Sequence, residues 1–419
     1  MLTRPPFDSR KVITMSTTSH PHTPVAPSAP MPHRKVIRSW VIPISQRSTA
    51  IALALSVLDF CLFGASLAAI VWAPWLLAKI ALGVVNGFII GRLFILGHDA
   101  CHQAFTPNRK LNTWLGRLLF MPSLTPYSLW AVGHNVVHHG YTNLKGFDFV
   151  WQPRSLEEFR ALPRWRQRLE RIYRSGFGPG LYYMIDMWWK RMYFPSKKQM
   201  PTRRAEFIWD GVLVTAVAAV WIAGLAWAAQ ATEQSFWTLL VTGFAIPLLF
   251  WKAMIGFVVY VHHTHTSVAW YEDKITWAAA QPFVSTTVHL TFGRYWGALL
   301  HHIMEHTAHH VDMSVPLYRL KQAQKKLETM LPGRIVIQRF SWRWYFDTAR
   351  RCKLYDFKRL CWTDYRGRPT STPLPMPEVS KNTAEAWCRW LGFNHSGSHE
   401  VSEVSITRRS HGRAFAGPR

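Results

Sequence analysis

The stretch IALALSVLDFCLFGASLAAIVWAPWLLAKIALGVVNGFIIGRLFIL, residues 51–96, is apolar almost throughout. Its only charged residues are Asp59, Lys79 and Arg92. A membrane-crossing helix needs about 20 apolar residues for a hydrocarbon core of about 30 Å, so this stretch is long enough to cross twice. With a turn at Pro74, it predicts two membrane helices at about 50–73 and 75–97.

A second apolar block, residues 211–261, has the same organisation. The short polar stretch 230–235, which includes Glu233, divides it into predicted spans at about 209–230 and 235–260. The sequence therefore predicts an all-α integral membrane protein with about four transmembrane helices in two hairpins.

The charge is strongly positive and unevenly distributed. The 419 residues include 49 Lys and Arg but 23 Asp and Glu, a formal net charge of +26. Such a balance often indicates nucleic-acid binding, but basic flanks around apolar runs are typical of cytoplasmic membrane faces. Residues 140–209 contain 14 Lys and Arg, whereas the predicted hairpin turns contain almost none. The positive-inside rule therefore predicts that this segment and both termini are cytoplasmic, and we predict no nucleic-acid partner.

The two ends of the chain differ from the apolar centre. Residues 1–47 are rich in Pro, Ser, Thr, His and basic residues and show no periodicity, so we predict a disordered N-terminal tail. Residues 367–419 have a similar composition and predict a C-terminal tail. The membrane domain is then predicted at 48–366.

The 20 histidines are the most informative residues in the chain. Three lie in each tail, and the other 14 fall in bursts. Three bursts, which we call the first, second and third histidine clusters, read HDACH (98–102), HNVVHH (134–139) and HTAHH (306–310). Residues three or four apart share a helix face, so each cluster offers at least two imidazoles in one direction. An even number of predicted spans separates the clusters, which places all three on one membrane side, in a cytoplasmic helical cap.

This distribution favours a metal centre over the alternatives. Imidazole is a ligand for iron, copper, nickel and zinc, and two iron ions need about eight to ten ligands, of which the clusters supply eight. A lone histidine beside a membrane span is commonly only a hydrogen-bonding residue, and a histidine-rich chain can also be a pH sensor. A metal transporter would place its ligands within the spans, and the predicted spans contain no histidine. Cys101, inside the first cluster, is either a further ligand or a small helix residue.

The order HxxxH, HxxxHH and HxxHH, with a membrane hairpin before the third cluster, resembles the histidine boxes of integral-membrane fatty acid desaturases and hydroxylases. The segments HNVVHHGYTN (134–143), HHTHTSVAWY (262–271) and HHIMEHTAHHVDMSVPLYRL (301–320) are most similar to acyl-lipid Δ12 (omega-6) desaturases, especially bacterial ones. The resemblance covers about residues 90–325.

The resemblance implies a set of iron ligands. These are His98, His102, His134, His138, His139, His306, His309 and His310, with His302 as a further ligand or supporting residue. Ligating imidazoles usually donate their other N–H to a carboxylate or carbonyl. The candidates for such supporting residues are Asp99, Asn135, Asp148, Glu305 and His265. The roles of His262 and His263, and of His265 as a ligand, stay open.

The family resemblance also implies a reaction and its partners. It implies two iron ions and the O2-dependent insertion of a cis double bond into an acyl chain, at the Δ12 (omega-6) position. The acyl chain would be linked to a lipid, or alternatively to CoA or a carrier protein. The sequence shows no haem or flavin module, so electrons would come from a separate donor such as a ferredoxin or a cytochrome. The location implied is a bacterial inner membrane. The alternatives are an alkane or carotenoid hydroxylase or ketolase of the same superfamily, and a non-catalytic metal-binding membrane protein.

Overall fold

The computed structural model describes residues 23–26, 28–197, 200, 204–293 and 296–377. This part of the chain is mostly helical. Its α-helices are α1 (Arg34–Val41), α2 (Thr49–Trp72), α3 (Leu76–Cys101), α4 (Arg109–Phe120), α5 (Tyr127–Ala131), α6 (Leu156–Arg160), α7 (Arg164–Tyr173), α8 (Pro179–Tyr182), α9 (Ala205–Ala231), α10 (Phe236–Leu240), α11 (Ile246–His263), α12 (Lys274–Ala279), α13 (Pro282–Ser285), α14 (Trp296–Leu299), α15 (His306–Val311), α16 (Leu317–Met330) and α17 (Trp342–Arg351). Three segments are π-helical, Val132–His138, Tyr183–Tyr193 and Val241–Ala245, and two are 3-10 helices, Ile42–Ile44 and Met121–Ser123.

Two small sheets accompany the helices, so the described chain is mostly helical and the prediction of an all-α protein is wrong only for these strands. Strands β1 (Val288–Thr291) and β2 (Val336–Arg339) pair in parallel, with Val288 opposite Val336. Strands β3 (Leu354–Asp356) and β4 (Cys361–Thr363) pair antiparallel, with Leu354 opposite Thr363. Strands of only three or four residues leave little periodicity for a sequence to reveal.

Four helices are long and apolar enough to cross a membrane: Thr49–Trp72, Leu76–Cys101, Ala205–Ala231 and the continuous Phe236–His263. Each end lies within four residues of the span predicted from the sequence. In its most apolar part α2 is only 22% buried within the protein and α9 only 17%, against 67% for α3. The first and third spans are therefore available to lipid, and α3 is the central helix of the membrane domain.

Three glycines on α3 allow it to approach the fourth span closely. A Cβ atom at Gly83 would lie 2.5 Å from the carbonyl oxygen of Thr242, and one at Gly87 would lie 2.6 Å from that of Pro247. Gly91 continues the same spacing of four residues. Small residues four apart let helix backbones meet in a membrane, where packing rather than hydrophobicity drives association. This contact brings together the ends of α3 and α11, which both carry histidines.

A buried ion pair joins the first two spans. The Nε and Nη2 atoms of Arg92 on α3 donate to Oδ1 of Asp59 on α2 at 3.0 and 2.7 Å. The other carboxylate oxygen of Asp59 lies 2.6 Å from Nε2 of His301, and Nη1 of Arg92 donates to the Leu299 carbonyl at 2.6 Å. Charged groups within a membrane are costly unless they are paired. This network also connects the membrane helices to the segment just before the third histidine cluster.

The predicted N-terminal tail, 1–47, is wrong over its last part. Helix α1 buries Ile37, Trp40 and Val41, and Nη2 of Arg38 lies 3.1 Å from Oδ1 of Asp312. The buried residues fall at positions i, i+3 and i+4, an amphipathic pattern that is too short to stand out from its polar, proline-rich surroundings. Residues 1–22 and residue 27 of this predicted tail lie outside the described residues.

The predicted C-terminal tail also begins too early. The backbone N–H of Thr370 donates to the Trp362 carbonyl at 2.8 Å, and that of Leu374 donates to the Leu360 carbonyl at 3.1 Å. Ser371 is buried and accepts a hydrogen bond from the Trp362 backbone N–H at 2.9 Å. These bonds join the segment to β4 through the backbone, which polar composition does not reveal. Residues 378–419 lie outside the described part of the chain.

Candidate metal centre

The three histidine clusters converge into two groups of imidazoles. Group A comprises His98, His102, His134, His139 and His309, and group B comprises His138, His263, His306 and His310. Within each group the potential ligand atoms all lie within 4.8 Å of one another. All eight histidines that the sequence ranked first are included, together with His263.

Four elements position these side chains. The end of α3 supplies His98 and the residue that follows the helix, His102. The short helix α15 supplies three further members, and α11 ends at His263. The second cluster lies on the π-helix Val132–His138 and the residue that caps it, His139. Each group therefore draws on separate parts of the chain, and the packing of α3 on α11 holds them together.

The π-helix decides how the second cluster is divided. The backbone N–H of His139 donates to the carbonyl of His134 at 3.0 Å, which joins residues five apart instead of four. As a result the Nε2 atoms of His134 and His139 lie 3.1 Å apart in group A, while His138 points into group B. The α-helical spacing assumed from the sequence would not separate these three residues in this way.

The imidazoles suit a metal better than they suit one another. In group A, Nε2 of His98 lies 2.9 Å from that of His134 and 3.3 Å from that of His102. A neutral imidazole has one N–H, so it cannot donate to several neighbours at once. The Nδ1 atoms of His102, His139 and His309 are buried without a hydrogen-bond partner among the described residues. The Nε2 atoms of group A converge, and their lone pairs fit a metal cation.

The protonation state of the groups agrees with this fit. Burial, followed by the charge of neighbouring imidazoles, lowers the pKa of His139, His306 and His310 well below 6.5. Burial, together with His138, lowers the pKa of His309 to about 3. These imidazoles are therefore neutral near pH 7, which is the form that binds a metal ion.

Asp148 supports group B. Its side chain is fully buried, and it also accepts hydrogen bonds from the backbone N–H groups of Asn143 at 2.9 Å and Val150 at 3.0 Å. Its oxygens face Nδ1 of His138, so this nitrogen carries the proton and Nε2 is free for a metal. Among the described residues Asp148 forms no salt bridge with a lysine or an arginine.

Two further group B imidazoles have partners for Nδ1. Nδ1 of His310 lies 3.2 Å from the hydroxyl oxygen of Thr142, and Nδ1 of His263 lies 3.3 Å from the Thr286 carbonyl. Both contacts leave Nε2 directed at the other imidazoles, since Nε2 of His306 lies 3.0 Å from that of each of these histidines. Group B is therefore held by its surroundings more fully than group A.

The other predicted supporting residues contact different partners. Asp99 accepts from the Leu317 backbone N–H at 3.2 Å, and Asn135 donates to the Cys101 carbonyl at 3.0 Å. His265 lies 3.3 Å from the Gln338 side-chain oxygen. Glu305 faces Nδ1 of His302 at 2.9 Å. These residues connect segments of the fold and do not contact a grouped imidazole through these bonds.

The structure changes the ranking of the less certain histidines. His302 lies outside both groups, whereas His263, which the sequence left open, lies in group B. His262 stacks on His306 with ring centres 3.7 Å apart, and its Nε2 lies 3.1 Å from Sδ of Met304. One feature of the sequence could have identified His263. It follows the fourth predicted span, on the same predicted membrane side as the first cluster, which follows the second span. Cys101 lies in neither group.

An apolar cavity of about 460 Å³ opens onto both groups. Its wall includes His98 and His134 from group A and His138, His263 and His306 from group B. Most of the remaining wall is aliphatic or aromatic, and Trp130 stacks on His134 with ring centres 4.0 Å apart. The volume is typical of ligand pockets. An alkyl chain in this cavity would lie beside both histidine groups.

Comparison with known proteins identifies relatives. Residues 70–342 match the model of the fatty acid desaturase family. The chain is 30% identical over 253 residues to an sn-1 oleoyl-lipid 12-desaturase of Arthrospira platensis, covering 59% of this chain and 68% of the relative. It is 24% identical over 342 residues to the protein of the same name in Synechocystis, covering 82% and 94%. It is 29% identical over 286 residues to a chloroplastic omega-6 fatty acid desaturase of Spinacia oleracea, covering 68% of this chain but 61% of that relative.

The matched region contains the last residues of α2, the other three membrane helices and every member of both histidine groups. The resemblance found in the sequence is thereby confirmed. This chain belongs to the fatty acid desaturase family.

Proposed function

We propose that this oxidoreductase inserts a cis double bond at the Δ12 (omega-6) position of an acyl chain carried on a membrane lipid. The observation that carries the proposal is the apolar cavity, because its wall includes imidazoles of both histidine groups. The position of the double bond and the lipid carrier are supported by relatives named oleoyl-lipid 12-desaturase and omega-6 fatty acid desaturase.

We further propose that two iron ions bind here, one to group A and one to group B. The ligand set is then the eight histidines of the three clusters together with His263, and His302 is not part of it. Iron held by these imidazoles would supply the O2 activation that attack on an unactivated methylene requires.

The protein residues fix where this chemistry acts. Asp148 holds the ring of His138 in one orientation and one tautomer. The wall formed by Trp130, Phe94 and Ile255 is apolar, so it excludes water and restrains the alkyl chain. Removal of two hydrogens from adjacent methylenes, with reduction of O2 to two waters, requires two electrons and two protons. A separate donor such as a ferredoxin or a cytochrome would deliver the electrons.

The proposed orientation places the metal centre and both termini in the cytoplasm, in a bacterial inner membrane. The support is the concentration of 14 Lys and Arg in residues 140–209, between the second and third spans. A basic face also favours association with an acidic electron donor.

The test is fatty-acid analysis, by gas chromatography with mass spectrometry, of cells that express the wild type or His138→Ala and contain oleoyl lipids. We expect a dienoic acid with a new bond at the omega-6 position in the wild type only. A hydroxylated product would instead support the hydroxylase alternative. Absence of any product, even with added ferredoxin and reductase, would contradict the proposal, provided that membrane fractions contain equal amounts of both proteins.

A further inference from the structure

Two arginines, Arg191 and Arg204, line the apolar cavity. They are the only Lys, Arg, Asp or Glu side chains in its wall among the described residues. A catalytic cavity for an alkyl chain has no need of guanidinium groups, and neither arginine contacts a histidine of group A or B through a described bond. Their presence needs another explanation.

Both arginines lie at the open end of the cavity. Val136, also in the wall, is 60% exposed, and the Arg204 side chain is 59% exposed. Arg191 is half-buried, with its guanidinium 4.4 Å from the ring centre of Phe149, another wall residue. By contrast, His262 and Ile303 are buried in the wall. The cavity therefore runs from a mouth with two cations to a closed apolar interior.

The mouth lies at the surface of the membrane. Arg204 immediately precedes α9, a membrane span, and the first turns of that helix expose Ile208 and Trp209. Beside Arg191, the side chains of Trp189 and Phe194 are exposed. Exposed tryptophan and other aromatic residues at the end of a span are typical of the lipid head-group layer. A ligand can therefore enter the cavity from the bilayer.

The two guanidinium groups are available for an anion. Arg191 has no carboxylate partner in the described part of the chain, and its contact is the face of Phe149. Arg204 pairs with Glu206 at 3.4 Å, but both side chains are largely exposed, and pairs of this kind contribute little. Guanidinium groups bind phosphate through parallel hydrogen bonds. An acyl chain in the cavity would leave its head group beside them.

We propose that Arg191 and Arg204 form a subsite for the phosphate of an anionic glycerophospholipid. The inference rests on the proposed function, because it takes the occupant of the cavity to be a lipid-linked acyl chain. It adds a head-group preference: phospholipids are favoured over neutral glycolipids that carry the same acyl chains. The exposed aromatic residues around the mouth favour a bilayer lipid over a water-soluble acyl thioester.

The test is a binding competition that needs no electron donor. Iron-loaded full-length protein in detergent is mixed with equal concentrations of dioleoylphosphatidylglycerol and digalactosyl dioleoylglycerol, and native mass spectrometry measures the ratio of the two bound lipids. We expect the wild type to favour the phospholipid by about tenfold, as charge-assisted hydrogen bonds would give. In the double variant Arg191→Gln/Arg204→Gln the ratio should fall towards one. The double variant Arg191→Lys/Arg204→Lys should retain most of the preference.

Arg343→Gln is the matched control, because Arg343 is exposed on α17 and is not part of the cavity wall. It removes a positive charge and should keep the wild-type ratio. An unchanged ratio in the glutamine double variant, or an equal fall in Arg343→Gln, would overturn the subsite. So would displacement of the phospholipid by an equal concentration of oleoyl-CoA.

Turnover separates this subsite from the proposed function. If the lipid ratios behave as expected but the wild type produces no dienoic acid, the proposed function fails and the subsite stands. If dienoic acid is produced while the ratios do not respond to the arginines, the subsite alone fails. Equal iron content per chain in all variants shows that the metal centre has folded.

Discussion

Both carboxylate oxygens of Asp148 lie 3.1 Å from Nδ1 of His138. Substitution of a carboxylate that orients a metal-binding imidazole typically weakens metal affinity 10- to 100-fold. We therefore expect the iron affinity of Asp148→Asn to be about 10- to 100-fold lower than that of the wild type. Dialysis against a chelator, followed by elemental analysis of iron per chain, measures the difference.

Glu305→Gln is the control for this substitution, since it makes the same change from carboxylate to amide. Glu305 faces His302 rather than a grouped imidazole. It should retain iron like the wild type. Equal loss of iron from both variants would show that Asp148 has no special role at His138.

His263 and His302 should respond oppositely to removal. His263 lies in group B, so His263→Ala should lose most of one of the two bound iron ions and nearly all dienoic product. The side chain of His302 is 21% exposed and lies outside both groups, so His302→Ala should keep its iron. Iron content and lipid analysis of the two purified variants give the comparison. The reverse result would restore the ligand set implied by the sequence.

The N-terminal segment should contribute to stability through the region of α1 and the residues just before it, where the Val25 N–H donates to the Met330 carbonyl at 2.9 Å. Deletion of residues 1–22 should change the melting temperature little, because this stretch is rich in Pro, Ser, Thr and basic residues and shows no periodicity. Deletion of residues 1–44 removes buried Ile37, Trp40 and Val41 and should lower stability by several kcal/mol. Thermal unfolding of detergent-solubilised protein measures both.

A point substitution tests the same contact without truncation. Trp40 is 7% exposed, so Trp40→Ala should cost roughly 3 kcal/mol. Trp165→Ala, at a tryptophan that is 66% exposed, should cost much less. Similar melting temperatures for these two variants would contradict the packing of α1 against the domain.

The close approach of α3 and the fourth span can be tested with one methyl group. In Gly87→Ala the new Cβ would meet the Pro247 carbonyl oxygen at 2.6 Å, and overpacking of this kind costs typically 1–3 kcal/mol. We expect a lower melting temperature and reduced iron retention. Gly224→Ala is the control, since nothing lies within 4 Å of its added Cβ. If both variants melt alike, the helices can separate without consequence for the site.

Much of this architecture could be predicted from hydropathy and spacing. The four long helices end within four residues of their predicted bounds, because a run of 20 or more apolar residues has few other stable conformations. The convergence of the three clusters also followed from the even number of spans between them. These features depend on patterns that are continuous along the chain.

The remaining features depend on contacts between distant residues. The division of His134, His138 and His139 between two groups depends on a π-helix. The sequence HNVVHH is equally compatible with an α-helix, so the spacing of its histidines does not reveal this division. His302 lies four residues before the third cluster and His263 lies 43 residues before it, yet the packing of α11 brings His263 into group B and leaves His302 outside. Asp148 follows the second cluster by nine residues, a spacing that fits no helical face, and a turn of the chain brings it back to His138.

The Asp59–Arg92 pair has a consequence for biosynthesis. An unpaired Asp59 in α2, or an unpaired Arg92 in α3, would oppose insertion of that helix into the bilayer. We therefore expect the two helices to insert together as they leave the ribosome, with these residues already paired. Their network is complete only when His301 docks on Asp59, after the second pair of spans has been made. The third cluster follows within ten residues. Maturation of the metal centre is therefore expected to begin late in translation, when almost three quarters of the chain has emerged.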